Sequence, residues 1–298
     1  MTDLVTFGEA LVSFRTPAVT AGWQASAHVA GAEANVAIGL ARWGHTVRWV
    51  GRVSDDRLGQ WVVETLLEEG VDASFVVRDP HPAGAMVLES PADHQRRVTY
   101  LRRGSAGSHL APEDALAALP GCARVHLTGI TPALSASAAE TCLAVAERAR
   151  AEGLPVSLDV NHRPALWSSE DARVALLALL PFVTTLIASE DELPIVAAGS
   201  EADAVARLLA GGVEEVLIKR GEHGASLFTT EGTVDLPAKP VEVVDVIGAG
   251  DALCAGYLSG RIDGLDPAEA LARGIDVAAA CVAAPGDWEG FPRRGLMH

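Results

Sequence analysis

From residue 111 onward the chain alternates short apolar runs rich in branched residues with helical segments, and this alternation limits the possible folds more than any other feature. Runs at 125–127, 156–160, 185–188 and 216–219 read as strands. Helix starts accompany them at Ser168-Ser169-Glu170-Asp171 and Asp266-Pro267-Ala268-Glu269, where a capping side chain precedes an acidic first turn. Strands separated by helices predict an α/β fold, with a mainly parallel central sheet covered by helices on both faces. Ligands in such sheets bind beyond the carboxyl ends of the strands. Polar clusters stand at three of those ends: Asp159-Val160-Asn161-His162-Arg163, Ser189-Glu190-Asp191-Glu192, and Lys219-Arg220-Gly221-Glu222-His223-Gly224. Each alone could be an ordinary connection or cap. Their shared edge makes them candidates for one site.

The N-terminal third reads differently. Residues 4–12 form a strand pattern broken by Gly8-Glu9; a helix pattern covers 33–43 and closes at Gly44, and a strand follows at 46–50. Asp55 and Asp56 precede a helix expected over 60–69, and capping accounts for one of them. Over 83–103 polar and apolar residues interleave with a period of two, with breaks around 91–93. That β excursion suits a small lid over one end of the sheet, or a subunit contact. It ends in Tyr100-Leu101-Arg102-Arg103, a basic spot whose guanidinium groups either meet solvent or bind a substrate carboxylate.

Residues 241–251 read V-E-V-V-D-V-I-G-A-G-D and pass into a small-residue helical pattern, so strand, tight turn and helix are expected in that order. Amides freed at the helix start, with the helix dipole behind them, would hold an anion. Asp251 beside them would repel a phosphate but could take a proton from an attacking hydroxyl. On the residues alone, a plain glycine turn with an acidic helix cap remains the alternative. No Gly-Lys-Ser/Thr follows, which excludes a Walker A loop, and Leu253 stands where a dinucleotide fingerprint has glycine.

Composition narrows the function classes. A formal charge of −16 over 298 residues argues against nucleic-acid binding, so an anionic ligand needs a local basic patch. Cys122, Cys142, Cys254 and Cys281 have no Cys-x-x-Cys spacing, which points to buried free thiols and no metal site of their own. There is no long apolar run and no basic leader at the start, so a cytoplasmic protein without membrane contact is expected.

D-V-I-G-A-G-D resembles the D-T-x-G-A-G-D signature of the PfkB, ribokinase-like, carbohydrate kinases, with Val246 in place of Thr. Gly31-Ala32-Glu33-Ala34-Asn35 is similar to that family's sugar-binding turn, and Gly51 to Gly59 to its G-x-V-G-D-D-x-x-G, with Ser54 for Gly. The resemblance covers nearly the whole chain and implies a single ribokinase-like domain, its lid strands drawn from roughly 8–35 and 83–103. Segments at 8–12, 100–107, 127–134, 159–163 and 285–287 are most similar to the branch acting on 2-keto-3-deoxygluconate. The implied activity is ATP-dependent phosphorylation of that sugar acid with Mg²⁺. Asp251 would be the base, and Gly248, Ala249 and Gly250 the anion hole. Gly31, Asn35, Tyr100, Arg102, Arg163 and Asp287 would hold substrate. Asn161, Lys219, Gly221, Gly224 and Glu192 would serve the nucleotide and its Mg²⁺. Met86 and Ser189 depart from residues common in the branch and family. A fructokinase, another sugar kinase of the family, or a sugar-acid sensor without turnover stay open, as does a homo-oligomer joined through the β lid.

Overall fold

A computed structural model describes residues 1–90 and 97–296. The breaks expected around 91–93 lie outside the described residues. The chain opens with β1 (Leu4–Phe7), β2 (Leu11–Thr16), β3 (Ser26–Ala30), α1 (Ala32–Arg42), β4 (Val47–Val50), β5 (Arg52–Ser54) and α2 (Arg57–Glu68). Next come β6 (Val77–Asp79), β7 (Ala85–Glu89), β8 (Arg97–Leu101), α3 (Pro112–Leu116), β9 (Val125–Thr128), α4 (Ala136–Ala151) and β10 (Val156–Asp159). Then follow α5 (Ser169–Leu179), β11 (Thr185–Ser189), α6 (Leu193–Val196), α7 (Glu201–Ala210), β12 (Glu215–Lys219), β13 (Ala225–Thr229) and β14 (Gly232–Leu236). The long helices α8 (Ala249–Ile262) and α9 (Pro267–Val282) close the order.

Eight strands form the central sheet in the order β14-β13-β12-β11-β10-β9-β1-β4. From β12 to β4 every pairing is parallel, while β13 and β14 are added antiparallel. Both faces are covered, and the apolar strands divide their side chains between them. Leu186, Val216 and Ile218 enter one buried cluster, with Leu176 and Val205, whereas Ile187 and Leu217 enter the other, with Leu40 and Leu258. Burial on both sides is why these strands read as nearly continuous apolar runs. Polar residues end them at one edge, where Asp159 lies opposite Thr128 and Ser189 opposite Lys219.

The run expected as one strand over 4–12 is two strands in different sheets. A Cβ at Gly8 would lie 2.5 Å from Glu33 Cδ, so a glycine there lets the chain leave β1 beside α1. It then enters a separate four-stranded sheet, β3-β2-β7-β8, that lies apart from the central one. A two-stranded parallel sheet, β5-β6, was not foreseen. The helix expected at 60–69 begins at Arg57, because the Asp56 side chain accepts from the amides of Leu58 and Gly59. Gly59 is required there, since a Cβ would come within 1.9 Å of Ser54 O.

The apolar run before the glycine turn is not a strand. Val243 and Val244 are 61% and 51% exposed. The amides of Val244 and Asp245 both bond to the carbonyl of Val282, the last residue of α9, and among the described residues no neighbouring strand forms a ladder with the run. Side-chain pattern favours extended backbone, but a strand also needs a partner.

The capping at Asp56 carries a test. Asp56→Ala removes the acceptor for two orphan amides and is expected to cost about 0.5–2 kcal/mol. Urea denaturation should register that loss while turnover per folded molecule stays unchanged.

Candidate active site

Helix α8 starts at a left-handed Gly248, φ 76°, where a Cβ would fall 1.9 Å from the carbonyl oxygen of Asp287. Only glycine fits. Among the described residues the amides of Gly250 and Asp251 have no acceptor, whereas Ala252 N donates to Gly248 O. Two free amides at the positive end of a helix of fourteen residues are able to accept an anion. Lys219 adds charge: its Nζ would lie 3.7 Å from a Cβ placed on Gly250.

Asp251 stands one residue inside this turn and is 9% exposed. Its carboxylate accepts from Asn35 Nδ2 at 2.7 Å and from Asn161 Nδ2 at 3.4 Å. Burial pushes the carboxyl up to about 7, against the hydrogen bond from Asn35. A carboxyl near 7 is half ionised at neutral pH and suited to accept a proton. Both asparagines keep a buried Oδ1 without a partner among the described residues, and both line the same cavity as Asp251, so each has an acceptor left for a ligand. Asn161 holds φ 39°, a left-handed conformation that asparagine tolerates, and its amide closes a turn onto Asp159 Oδ1.

Behind the turn sits a charge cluster. Lys219 Nζ is 2.7 Å and 3.0 Å from the oxygens of Asp159 and 3.6 Å from Glu192. Burial works against the ammonium, but Asp159 and then Glu192 outweigh it and keep Lys219 protonated. Burial also opposes ionisation of Glu192, yet Lys219 and the amides of Ser189 and His162 bring its carboxyl below the usual value.

A cavity of about 290 Å³ opens over Asp251. It is lined by Gly31, Asn35, Tyr100, Arg102, Asn161, Arg163, Lys219, Gly248, Gly250 and Asp287, all singled out in the sequence, and by Met86 and Leu88 from β7. Ala249, Glu192, Gly221 and Gly224 are not on its wall. Glu192 stands behind Lys219, and Gly221 and Gly224 bracket the turn after β12. The three arginines around the cavity differ. Arg102, expected to hold a ligand carboxylate, instead gives Nε and Nη2 to Glu9 Oε2 at 2.6 and 2.5 Å, because both groups are buried and need each other. Arg15 on β2 binds Asp245 at 3.1 Å and Asp287 at 2.5 Å, so Asp287 is already paired. Arg163 bonds its neighbour's carbonyl, His162 O, and forms no ion pair among the described residues.

Glu9 and Arg15 were missed. Glu9 looked like a strand break, and nothing in the sequence links Arg15 to positions more than two hundred residues away.

Residues 1–294 match the family described as pfkB family carbohydrate kinase. The chain is 35% identical to the 2-dehydro-3-deoxygluconokinase of Bacillus subtilis (strain 168), over 98% of this chain and 93% of that one. It is also 35% identical to the enzyme of that name from Thermoproteus tenax, covering 98% and 92%. A solved PfkB protein from Polaromonas sp. JS666 superposes with a TM-score of 0.88 at 31% identity, covering 95% of this chain and 97% of that one. No helix among the described residues is long and apolar enough to cross a membrane.

The raised Asp251 carboxyl predicts a pH-dependent stability. Its ordinary value is 3.8 and its folded value about 7, so the folded state takes up a proton between them. The stability this group contributes is full below 3.8 and is lost as pH rises to about 7. Asp251→Asn should therefore be more stable than the native chain at about pH 8, with the gap shrinking at about pH 4.5. Urea midpoints at the two pH values measure it; a gap that does not change with pH would show that Asp251 is ionised throughout.

Proposed function

The chain belongs to the pfkB family of carbohydrate kinases, and we propose that it phosphorylates the primary hydroxyl of 2-keto-3-deoxygluconate, the 2-dehydro-3-deoxygluconate of its relatives' name, to give the 6-phosphate. One observation carries the choice of a sugar acid: Arg163 is the cavity-lining arginine that makes no ion pair among the described residues. A neutral sugar has no use for it, whereas a carboxylate can take two parallel N–H bonds from its guanidinium. Relatives at 35% identity bearing that enzyme name support the same reading.

In this reading the sugar lies between Arg163 and Asp251. Gly31 and the free Oδ1 of Asn35 receive hydroxyl groups; Tyr100 and the remaining Nη1 of Arg102 shape the acid end. The attacking hydroxyl gives its proton to Asp251 as its oxygen bonds phosphorus and the bond from that phosphorus to the nucleotide breaks. Developing charge meets the Gly250 and Asp251 amides and Lys219. Mg²⁺ with ATP would neutralise phosphate charge. The free Asn161 Oδ1 on the cavity wall is a hard-oxygen donor that fits it, and the Glu192 carboxylate behind Lys219 would act on it through water. Gly221 and Gly224 would border the nucleotide's far end.

A fructokinase is the nearest alternative, and a cavity arginine without an ion pair among the described residues counts against it. A sensor without turnover would have no need of a carboxylate poised near 7. The four buried, unpaired cysteines suit a reducing cytoplasm. The four-stranded sheet serves as a lid in this reading. Its outer face carries Phe14, Val87 and a 59% exposed Leu101, a surface fit for pairing two subunits.

Two outcomes check the assignment. Asp251→Asn should bind ATP normally and lose roughly 10²–10⁴-fold in turnover; near-native kcat would remove it as the base. Arg163→Ala should lower kcat/KM for 2-keto-3-deoxygluconate by roughly 10- to 150-fold, the loss of one charged hydrogen bond, while changing fructose turnover far less. Arg163 is the cleaner probe because Arg102→Ala would strand buried Glu9. Equal losses on both sugars, or a native preference for fructose, would move the assignment to fructokinase.

A further inference from the structure

Away from the Asp251 cavity, nitrogen and carboxylate ligands converge at one other place among the described residues. Asp79 ends β6, His81 lies on the connection into β7, and His109 ends the single turn at Ala106–His109 that follows β8. One ligand atom from each falls within 4.8 Å of the others. We propose that His81 and His109, with Asp79 orienting His81 from behind, form a site for a divalent transition-metal ion that ties together the two ends of the β7–β8 hairpin.

The hydrogen bonds set both imidazoles for the task. His81 Nδ1 is 2.7 Å from Asp79 Oδ1, and His109 Nδ1 is 3.0 Å from the carbonyl of Ser105. An acceptor facing Nδ1 places the proton there and leaves Nε2 with a free lone pair. Metal-binding histidines are oriented in this way, one by a carboxylate and another by a backbone carbonyl. The two rings stack at 3.6 Å with planes 11° apart, and one ring nitrogen of each lies within 4.8 Å of the other. A shared ion requires one ring to tilt, and the His81 side chain, 46% exposed, is free to do so.

Asp79 is best placed as the group behind His81. Its Oδ1 already takes the His81 amide at 2.9 Å, and its Oδ2 faces Arg52 at 3.4 Å. Arg52 is engaged more closely with Asp114, at 2.7 Å, and so does not occupy the site. Two imidazole nitrogens with water completing the shell suit Zn²⁺, Ni²⁺, Co²⁺ or Cu²⁺, and suit Mg²⁺ poorly.

The position gives such an ion a mechanical effect. Pro82 O already accepts from Ala106 N, joining the two ends of the hairpin next to the histidines. The hairpin carries Met86 and Tyr100 of the cavity wall, and Arg102 follows directly. An ion bridging His81 and His109 would add a second tie and stiffen that wall, sharing no ligand with the Asp251 site.

Titration calorimetry of tag-free protein with Ni²⁺ or Zn²⁺, without nucleotide, tests the proposal. One ion per chain should bind with a dissociation constant below about 100 μM. His81→Ala and His109→Ala should each weaken it at least about tenfold, and Asp79→Asn by roughly 10- to 100-fold. His28→Ala, elsewhere on the surface, should leave it unchanged. No saturable binding below about 1 mM, or binding that survives loss of both His81 and His109, would overturn it and leave the stacked rings as plain packing.

Discussion

A carboxylate held where water cannot solvate it is what the rest of the structure depends on. Asp251 must be able to ionise near neutrality, yet burial opposes its charge. The amide donor of Asn35 and the charges of Arg163 and Lys219 keep the ionised form within reach, and Asn161 adds a second, longer bond. Those donors come from different parts of the chain: Asn35 from the first turn of α1, and Asn161 from just beyond β10. Only a parallel sheet with aligned carboxyl ends brings them to the start of α8. The sheet order, the glycine at 248 and the left-handed asparagine at 161 are all conditions for one hydrogen-bonded carboxylate.

The same economy governs the cationic groups. In a chain of net charge −16, unpaired arginines around a cavity would be a strong local field, and the fold cancels most of it. Arg102 is neutralised by Glu9, Arg15 by Asp245 and Asp287, and Lys219 by Asp159 and Glu192. Buried pairs of this kind contribute little net stability once desolvation is counted, but they fix positions. Arg163 is then the arginine on the cavity wall left without an ion pair among the described residues.

Much of this was legible in the sequence because polar residues that end buried strands have few structural reasons to be there. Asp159, Asn161, Arg163 and Lys219 were found in that way, and Asp251 by the glycine turn before it. The failures have physical causes. The 241–246 run had the side chains of a strand, but no sequence pattern records whether a partner strand is present. Arg102 was recognised as cavity-facing, but its carboxylate partner, Glu9, lies ninety-three positions away across a glycine break. Gly8 read as an interruption within one strand, when it is the point where the chain passes from one sheet to another. Pairing is non-local, and a single sequence carries little trace of it.

The bond from Asn35 to Asp251 spans 216 positions, and this has a consequence for biosynthesis. Synthesis at about 5–20 residues per second takes on the order of ten seconds or more to cover that interval. For that time α1 exists without α8, the helix it packs against, and the cavity lacks the Asp251 carboxylate. A chain that ends before α8 holds β1, β4 and β9 to β12 but not the Gly248 turn. The cavity wall is therefore completed late, when α8 docks, and a product truncated before α8 lacks both the glycine turn and the carboxylate beside it.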